Sequence, residues 1–497
     1  MPAFRNKIWD GKIRLFNSQS RQIYYGLIPY LEKFAKEREY EIEFDESVET
    51  YDEFSLAEAK DFIDTLGIPF EVRDYQIQAF IHAIRSRRNL LVSPTASGKS
   101  LIIYLIARYL NCKTLIIVPT ISLVAQLYKD FADYGFESDK YIHQIMSGAS
   151  KQTDCPIVIS TWQSIYKMPK EWFEEFELVV GDEAHLFKAK SLISILTKLT
   201  ECKYRFGLTG TLDGTQTHRL VLEGLFGKVK QITTTKELID SGRLAKFRIK
   251  ALVLKHNEES CKLGKNFKYQ DEINYIIGKP SRNRFIRNLT MSLEGNTLLL
   301  YQFVDKHGRI LYNMIKDAVE ENRPVFFIHG AVGVDEREEV RRITEEEENA
   351  IIVASYGTFS TGINIRNLHN VIFASPSKSK IRTLQSIGRG LRLGDNKKEA
   401  ILYDISDDIK SSISSSDILE RFNLPNLGCP SSIPPNSFNL VARPLALSSK
   451  VSVITLEINL YSGLEKLYLL NIRVGINITT IIKIPIIIDS CCCIPKI

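Results

Sequence analysis

The segment Ser93–Ser100 constrains the fold more than any other part of the chain, and it reads Ser-Pro-Thr-Ala-Ser-Gly-Lys-Ser. An apolar run, Leu90–Val92, precedes it and a helical pattern follows it, which predicts a buried strand, a tight loop and a helix. Backbone N–H groups at the start of such a helix bind phosphate oxygens. Lys99 is then placed to reach the β- and γ-phosphates, and the Ser100 hydroxyl to ligate Mg²⁺. We therefore predict a nucleoside triphosphate site made by Thr95, Ala96, Ser97, Gly98, Lys99 and Ser100.

A pair of carboxylates, Asp182 and Glu183, completes the expected chemistry. They open the run Asp182–His185 directly after the apolar residues Leu178–Val180. Ligands of open α/β sheets bind at the carboxyl ends of the strands, which is where this order places both acids. Asp182 is the candidate Mg²⁺ ligand, and Glu183 is the candidate general base for the attacking water. The two motifs together predict ATP hydrolysis with Mg²⁺ as cofactor.

Two further features are expected to serve the same site. Gln76 lies upstream of the phosphate loop, and a side-chain amide at this place can pair with the adenine edge, which favours ATP. Thr209 and Thr211 follow the predicted strand 204–209. Their hydroxyls are expected to hydrogen-bond the two carboxylates and so to report the nucleotide state to a second domain.

The second half of the chain carries a basic motif, Gln385–Arg392. Its guanidiniums at Arg389 and Arg392 are about one helical turn apart, on one face. The planar fork of arginine suits phosphate oxygens, so we predict two arginine fingers that reach the γ-phosphate across an interdomain cleft. Upstream, the run Ser360–Gly362 lies in a loop rich in Gly, Ser and Thr, whose donors suit a nucleic-acid backbone.

Composition narrows the setting without deciding the function. The chain has 497 residues and a net charge of +6, which is compatible with a polyanionic partner but does not identify one. The first four of its eight cysteines show no C-x-x-C spacing, which favours reduced thiols over disulfides or a zinc site. The first residues contain no apolar signal region, and no uncharged apolar run reaches the length of a membrane helix. We expect a cytoplasmic protein without a membrane partner.

The order of predicted elements favours two α/β domains in tandem. Domain bounds are expected at 1–68 for a small N-terminal α+β unit, 69–245 and 246–425 for the two parallel-sheet domains, and 426–497 for an atypical tail. The N-terminal unit should hold a strand at 12–15, where basic and apolar residues alternate, and a helix at 28–38. The remaining predicted strands are 89–93, 114–119, 157–160, 178–181, 204–209, 297–303, 325–328, 350–354, 371–374 and 400–404.

The tail from about residue 426 differs in composition from the rest of the chain. It is poor in charge, rich in isoleucine and ends near Cys491–Cys493. One interpretation is a segment that is out of frame or disordered. A small β-rich domain and a membrane- or partner-binding tail are the alternatives, although Arg473 and Lys483 interrupt any membrane span.

Taken in order, these motifs resemble those of superfamily 2 helicases over about residues 70–410. More narrowly, the stretches Trp9–Leu15 and Lys170–Phe173 are similar to the UvsW type of phage recombination helicase. The resemblance implies two RecA-like domains that close on ATP, with DNA crossing both, and an N-terminal unit that contacts duplex DNA. It also implies remodelling of branched DNA, namely junctions, forks and R-loops, by a monomer.

Residue roles follow from the same resemblance. Contacts with the DNA backbone are expected at Pro119, Thr120, Thr161, Gln163, Ser360, Thr361 and Gly362, and coupling roles at His185, Thr209, Thr211 and Gln385. Phosphate contacts make binding salt-sensitive and independent of sequence. An RNA helicase, the translocating subunit of a restriction system, and a DNA-binding protein with an inactive ATPase are the alternatives.

Overall fold

A computed structural model describes residues 12–44, 53–146, 148–212, 214–319, 323–362, 365, 367–376, 397 and 399–409, together with the strands 439–446, 452–459, 469–470 and 484–485. The chain divides into two compact units, Met1–Thr235 and Lys236–Ile497. The domain bounds expected from the sequence stay predictions.

Strands and helices alternate along most of the first unit. Its strands are β1 (Phe16–Asn17), β2 (Gln22–Ile23), β3 (Arg88–Val92), β4 (Thr114–Val118), β5 (Ile142–Ile145), β6 (Ile157–Thr161), β7 (Leu178–Asp182), β8 (Tyr204–Thr209) and β9 (Val229–Gln231). Its helices are α1 (Ile28–Lys36), α2 (Leu56–Thr65), α3 (Asp74–Ser86), α4 (Lys99–Leu110), α5 (Ile121–Asp133), α6 (Ser138–Tyr141), α7 (Trp162–Ile165), α8 (Lys170–Phe173), α9 (Lys190–Lys198) and α10 (Gln216–Phe226). Short 3₁₀ turns lie at Tyr25–Leu27 and Ala184–Lys188.

In the described part of this unit, seven strands form one parallel sheet in the order β5-β6-β4-β7-β8-β3-β9. Side chains of a strand alternate between the two faces. In β4, Ile116 and Val118 enter one buried cluster, and Leu115 and Ile117 enter another. Because both faces are covered, the central strands are apolar without interruption, as parallel sheets require.

The strands predicted in this unit from apolar runs are confirmed, with bounds that differ by at most one residue. The helix predicted at 28–38 is α1, which ends at Lys36. The strand predicted at 12–15 is wrong, because residues 12–14 have no regular structure and the short strand β1 begins at Phe16. Lys12, Ile13 and Arg14 are exposed. Within the described residues β1 pairs with the two-residue β2 alone, and that pairing begins at Phe16, after the alternating residues.

The N-terminal segment docks on helix α10. Gly26 approaches this helix so closely that a Cβ on it would lie 1.9 Å from the carbonyl oxygen of Glu223. The Tyr30 hydroxyl donates to the Glu223 carboxylate, which also accepts from Arg219 Nε at 3.1 Å. Glu223 is buried, so these donors offset the cost of burying its charge. The contacts attach residues 24–30 to the first parallel-sheet unit.

The second unit repeats the α/β pattern. Its strands are β10 (Lys246–Lys255), β11 (Thr297–Tyr301), β12 (Val325–Ile328), β13 (Ile351–Ser355), β14 (Asn370–Phe373), β15 (Glu399–Asp408), β16 (Asn439–Ala446), β17 (Ser452–Asn459), β18 (Leu469–Leu470) and β19 (Ile484–Pro485). Helices are α11 (Thr235–Asp240), α12 (Glu258–Gly264), α13 (Tyr269–Ile277), α14 (Pro280–Ser292), α15 (Arg309–Lys316), α16 (Val334–Glu346) and α17 (Tyr356–Gly362), and a π-helical turn spans Val304–Gly308.

Eight described strands of this unit form a sheet in the order β12-β13-β11-β14-β15-β10-β17-β16. Its first six strands are parallel, and β17 and β16 add to it in antiparallel fashion. The strands predicted between 297 and 404 are confirmed, and β15 continues four residues further than expected, to Asp408. The fold class is thus two parallel-sheet domains with a small N-terminal region.

Candidate functional site

The phosphate loop has the conformation that the motif predicts. Strand β3 ends at Val92, and α4 begins at Lys99. Between them, Ala96 has a φ of 67° and Gly98 a φ of 77°, which turn the chain back on itself. Ser93 Oγ donates to Ser97 Oγ at 2.6 Å across the loop. Ser93, the first residue of the loop, therefore stabilises it from within.

Two residues at the start of α3 hold the loop from outside. Gln76 Nε2 and the Tyr75 hydroxyl both donate to the carbonyl oxygen of Ser97, at 3.0 Å and 2.8 Å. Gln76 Oε1 accepts from the backbone N–H of Arg73 at 3.0 Å. A Cβ on Gly98 would lie 2.3 Å from Gln76 Nε2, so glycine is needed there for space as well as for its φ. Both amide atoms of Gln76 thus have protein partners here, and its contact with adenine stays a prediction. Sequence reasoning missed Tyr75, although it adjoins Gln76.

Lys99 and Ser100 are the other two loop residues with predicted side-chain roles, and each has a partner in the structure. Lys99 Nζ is 3.5 Å from the carbonyl oxygen of Ser93, a weak contact that leaves the ammonium available to phosphate. Ser100 Oγ shares a hydrogen bond of 2.7 Å with the Tyr134 hydroxyl at the end of α5. Burial raises the pKa of the Tyr134 phenol, which therefore stays protonated at neutral pH. No sequence pattern pointed to this tyrosine, which is 34 residues from Ser100.

The carboxylate pair lies where β7 ends. Asp182 is its last residue, and Glu183 follows with a φ of 51°. Burial first, and the charge of Glu183 second, raise the pKa of Asp182 to about 6, while the Lys99 ammonium lowers it. Two acids and the loop lysine are therefore close enough to interact at one end of the sheet. A cation bound beside Asp182 would offset the repulsion between its carboxylate and that of Glu183.

A hydrogen-bonded chain links this pair to the next strand. His185 Nδ1 is 3.3 Å from Glu183 Oε2 and 3.1 Å from Thr209 Oγ1. The Thr209 hydroxyl donates to the carbonyl oxygen of Thr211 at 3.0 Å, so it accepts from the imidazole. His185 therefore bridges the carboxylate and the threonine, where the sequence led us to expect direct bonds between the Thr209 hydroxyl and the two acids. The backbone N–H of Ser93 also bonds the carbonyl oxygen of Thr209 at 2.9 Å, which joins this segment to the phosphate loop.

A groove of about 700 Å³ opens further along the same edge of the sheet. Val118 and Thr161 are register partners in β4 and β6, so the residues that follow each strand lie side by side. The groove is lined by Pro119, Thr120, Ile121, Met146, Gly148, Ala149, Lys151, Thr161, Gln163 and Ser164. The structure thus brings together all four of the DNA-contact residues predicted in this unit.

Not every predicted residue can be placed in this way. Ser360–Gly362 lie in the second half of α17, directly after β13. Gln385, Arg389 and Arg392 lie outside the described residues, and their roles stay predictions.

The second unit has a polar centre that the sequence did not reveal. Ser375 Oγ accepts from the backbone N–H of Gln302 at 3.1 Å and bonds His307 Nδ1 at 2.8 Å. The Tyr356 hydroxyl donates to the carbonyl oxygen of Ser375 at 3.0 Å. The segments that follow β11, β13 and β14 are therefore tied together at the carboxyl edge of this sheet.

A buried ion pair lies beside that centre. Arg282 Nε is 2.9 Å from Asp407 Oδ2, and Arg282 Nη1 donates to the carbonyl oxygen of Ala374 at 2.8 Å. Burial alone would raise the pKa of Asp407, but Arg282 and His256 outweigh it and hold this pKa below its ordinary value. The pair fixes the chain where β14 ends.

Comparison with known proteins agrees with this arrangement. Residues 69–214 match the family described as the res subunit of type III restriction enzymes, and residues 281–394 match the conserved C-terminal domain of helicases. Residues 1–45 match the N-terminal domain of the DNA helicase UvsW. The chain is 36% identical over 422 residues to the ATP-dependent DNA helicase uvsW of Enterobacteria phage T4, covering 82% of this chain and 83% of the relative. The chain belongs to the UvsW family of ATP-dependent DNA helicases.

Solved structures are also similar. The crystal structure of T4 UvsW is 35% identical over 82% of this chain and 83% of that one, with a TM-score of 0.44. A DNA-bound type ISP restriction-modification enzyme, LlaBIII, is 17% identical with a TM-score of 0.50 over 67% of this chain and 27% of its own, which is a likeness of fold alone. No helix in the described ranges is both long and apolar enough to cross a bilayer.

Proposed function

We propose that this UvsW-family helicase uses ATP hydrolysis at the Ser93–Ser100 loop to remodel branched DNA, namely junctions, forks and R-loops. The observation that carries the proposal is that one edge of one parallel sheet holds the phosphate loop, the carboxylates of Asp182 and Glu183, and the groove at Pro119–Thr120. Nucleotide-dependent movement at this edge can therefore be transmitted to a nucleic-acid strand. The branched substrate is inferred from membership of the family.

Magnesium fits the donors of the site. The Ser100 hydroxyl and the Asp182 carboxylate are hard oxygen ligands, which Mg²⁺ prefers. The raised pKa of Asp182 fits a divalent cation as well, because a cation would offset the repulsion from Glu183. In the proposed mechanism Ser100 and Asp182 hold the ion, which would neutralise charge that develops on the phosphates.

The other residues do the remaining work. Lys99, together with the N–H groups at the start of α4, binds the phosphates and stabilises the charge of the transition state. Glu183 takes the proton from the attacking water. His185 orients Glu183 and couples the position of Glu183 to that of Thr209. Thr209 leads into the segment that borders the phosphate loop.

The groove is proposed to bind the sugar–phosphate backbone. Helix α5 begins at Ile121 inside it, and a helix start favours anions. Thr120 Oγ1 caps this helix by accepting from the N–H of Leu123 at 3.4 Å, and Thr161 Oγ1 bonds Ser164 Oγ at 2.9 Å. Hydroxyls and backbone donors of this kind recognise phosphates rather than bases, so binding should be independent of sequence.

The test is the ATPase rate without nucleic acid, with duplex DNA, with a forked or four-way junction, and with single-stranded RNA. Strongest stimulation by the junctions supports the proposal. Stimulation by RNA alone would favour an RNA helicase, and equal stimulation by linear duplex and junction would favour a duplex translocase such as the motor of a restriction system.

A further inference from the structure

The groove contains a cation that none of the motifs includes. Among the described residues that line it, Lys151 is the only charged one. It lies in the loop between β5 and β6, and it is exposed. In the described part of the chain, no acidic side chain pairs with it. A positive charge that has no acidic partner among the described residues thus lies beside residues already expected to contact a phosphate backbone.

Three side chains donate to backbone carbonyl oxygens of this loop. The indole Nε1 of Trp172 donates to the carbonyl oxygen of Lys151 at 2.8 Å. His143 Nε2 is 2.8 Å from the carbonyl oxygen of Ser150. Lys113 Nζ donates to the carbonyl oxygen of Thr153 at 2.8 Å. The backbone is therefore held at Lys151 and at a residue on each side of it, while the lysine side chain is exposed.

Trp172 is well suited to act as the central anchor. It is buried in α8 and packs against Phe173 and Phe176, with ring centroids 4.9 Å and 5.0 Å away. A phenylalanine would fill much of the same apolar space, but it has no N–H to donate. The tryptophan is therefore the residue type that both fills this core and holds the carbonyl of a surface loop.

We propose that Lys151 contacts a backbone phosphate of DNA in this groove and that Trp172 is its positioning residue. The inference rests on the proposed function, because it requires that the groove carries DNA. Lysine acts on phosphate as a point charge on a flexible stem. Fixing its backbone lowers the entropy that must be lost when the ammonium meets a phosphate, since the rest of the loop is already ordered.

The experiment measures the affinity for duplex DNA at several salt concentrations. Each phosphate neutralised contributes about 0.9 to the slope of log K against log salt on duplex DNA. Lys151→Ala should weaken binding at low salt and reduce the slope by about 0.9. Lys151→Arg should keep the slope close to that of the wild type. The matched control is Lys203→Ala, because Lys203 is also exposed but precedes β8 at the opposite edge of the sheet.

The role of Trp172 is tested by Trp172→Phe and by a double-mutant cycle. Alone, Trp172→Phe should weaken DNA binding and lower the salt slope less than Lys151→Ala does. In a Lys151→Ala background it should leave the slope unchanged, because the contact that it positions is already gone. A purely structural role would lower the melting temperature and affect binding equally in both backgrounds.

Two results would overturn the inference. If Lys151→Ala keeps the wild-type slope while Gln163→Ala weakens binding, the groove carries DNA but Lys151 does not contact it. If neither variant changes binding, the groove itself is wrongly assigned, and the proposed DNA path fails together with this inference. Additive effects of Trp172→Phe and Lys151→Ala would reject the positioning role alone.

Discussion

Replacing Glu183 by glutamine should separate ATP binding from ATP hydrolysis. The change keeps the size and shape of the side chain and removes only its negative charge and its capacity to accept the proton of water. Its amide oxygen can occupy the place of Glu183 Oε2, which lies 3.3 Å from His185 Nδ1 in the native protein. The chain to Thr209 should therefore persist, and the effect should be limited to chemistry.

The expected magnitude follows from the role. General-base catalysis contributes about 10²- to 10⁴-fold, which is about 3–5 kcal/mol of activation free energy. Nucleotide binding should not suffer, because the charge of Glu183 is one of the two causes that raise the pKa of Asp182. Its removal lowers that pKa and makes Asp182 a better ligand for Mg²⁺. The variant should bind ATP as well as the wild type, or more tightly, and hydrolyse it at least ~10²-fold more slowly.

The assay pairs single-turnover phosphate release in saturating DNA with binding of a fluorescent ATP analogue. Glu201→Gln is the control, since Glu201 is exposed and precedes β8 at the edge of the sheet away from the site. Wild-type turnover in Glu183→Gln would remove this residue from the base role. Loss of nucleotide binding would instead mean that its charge is needed to shape the site.

Three other variants test the site and the fold. Lys99→Ala should reduce turnover by ~10²-fold or more and leave DNA affinity intact, and unchanged turnover would reject the phosphate-loop assignment. Gly98→Ala should destabilise the loop by about 1–2 kcal/mol through its positive φ, which urea unfolding measures. It should also weaken ATP binding in a nucleotide titration, because the added Cβ displaces Gln76 from Ser97. His307 has its pKa lowered to about 3 by burial first and by a neighbouring guanidinium second, so between pH 6.5 and 3 the unfolded chain binds a proton that the native chain does not. The free energy of unfolding should therefore decrease by about 1.4 kcal/mol for each unit by which the pH is lowered in this window, and His307→Gln should flatten that slope. Unfolding is followed by circular dichroism, because all three tryptophans lie in the first unit. A slope equal to that of the wild type would show that the histidine titrates normally.

In the first unit the sequence predicted the central strands of the sheet and missed its edges, whereas in the second unit it predicted the edge strand β12 and missed the interior strand β10. The central strands β4 and β7 are covered on both faces, so their apolar runs are continuous and easy to find. The edge strands β5 and β9 were missed, because β5 contains His143 and Gln144 and β9 is three residues long with two exposed positions. Fewer positions of β5 and β9 are buried, so neither strand contains a continuous apolar run that could be detected in the sequence.

The same contrast holds for the site. Candidate residues that are set by spacing along the chain, such as Lys99 and Asp182, could be proposed before their surroundings were known. Residues whose role depends on tertiary approach could not. Tyr134 meets Ser100 across 34 positions and Trp172 meets Lys151 across 21, and neither interval repeats a local pattern. We expected direct bonds from Thr209 to the acids because the sequence does not show that His185 lies between them in the fold.

The central claim is that ATP turnover at this site drives the remodelling of branched DNA. The most direct test is strand displacement from a four-way junction, followed by gel or fluorescence, with the wild type and with Glu183→Gln at saturating ATP. We expect the wild type to resolve the junction at a rate that follows its ATPase rate, while the variant binds the junction and leaves it intact. Displacement by Glu183→Gln at the wild-type rate, or a wild type that hydrolyses ATP on the junction without displacing a strand, would contradict it.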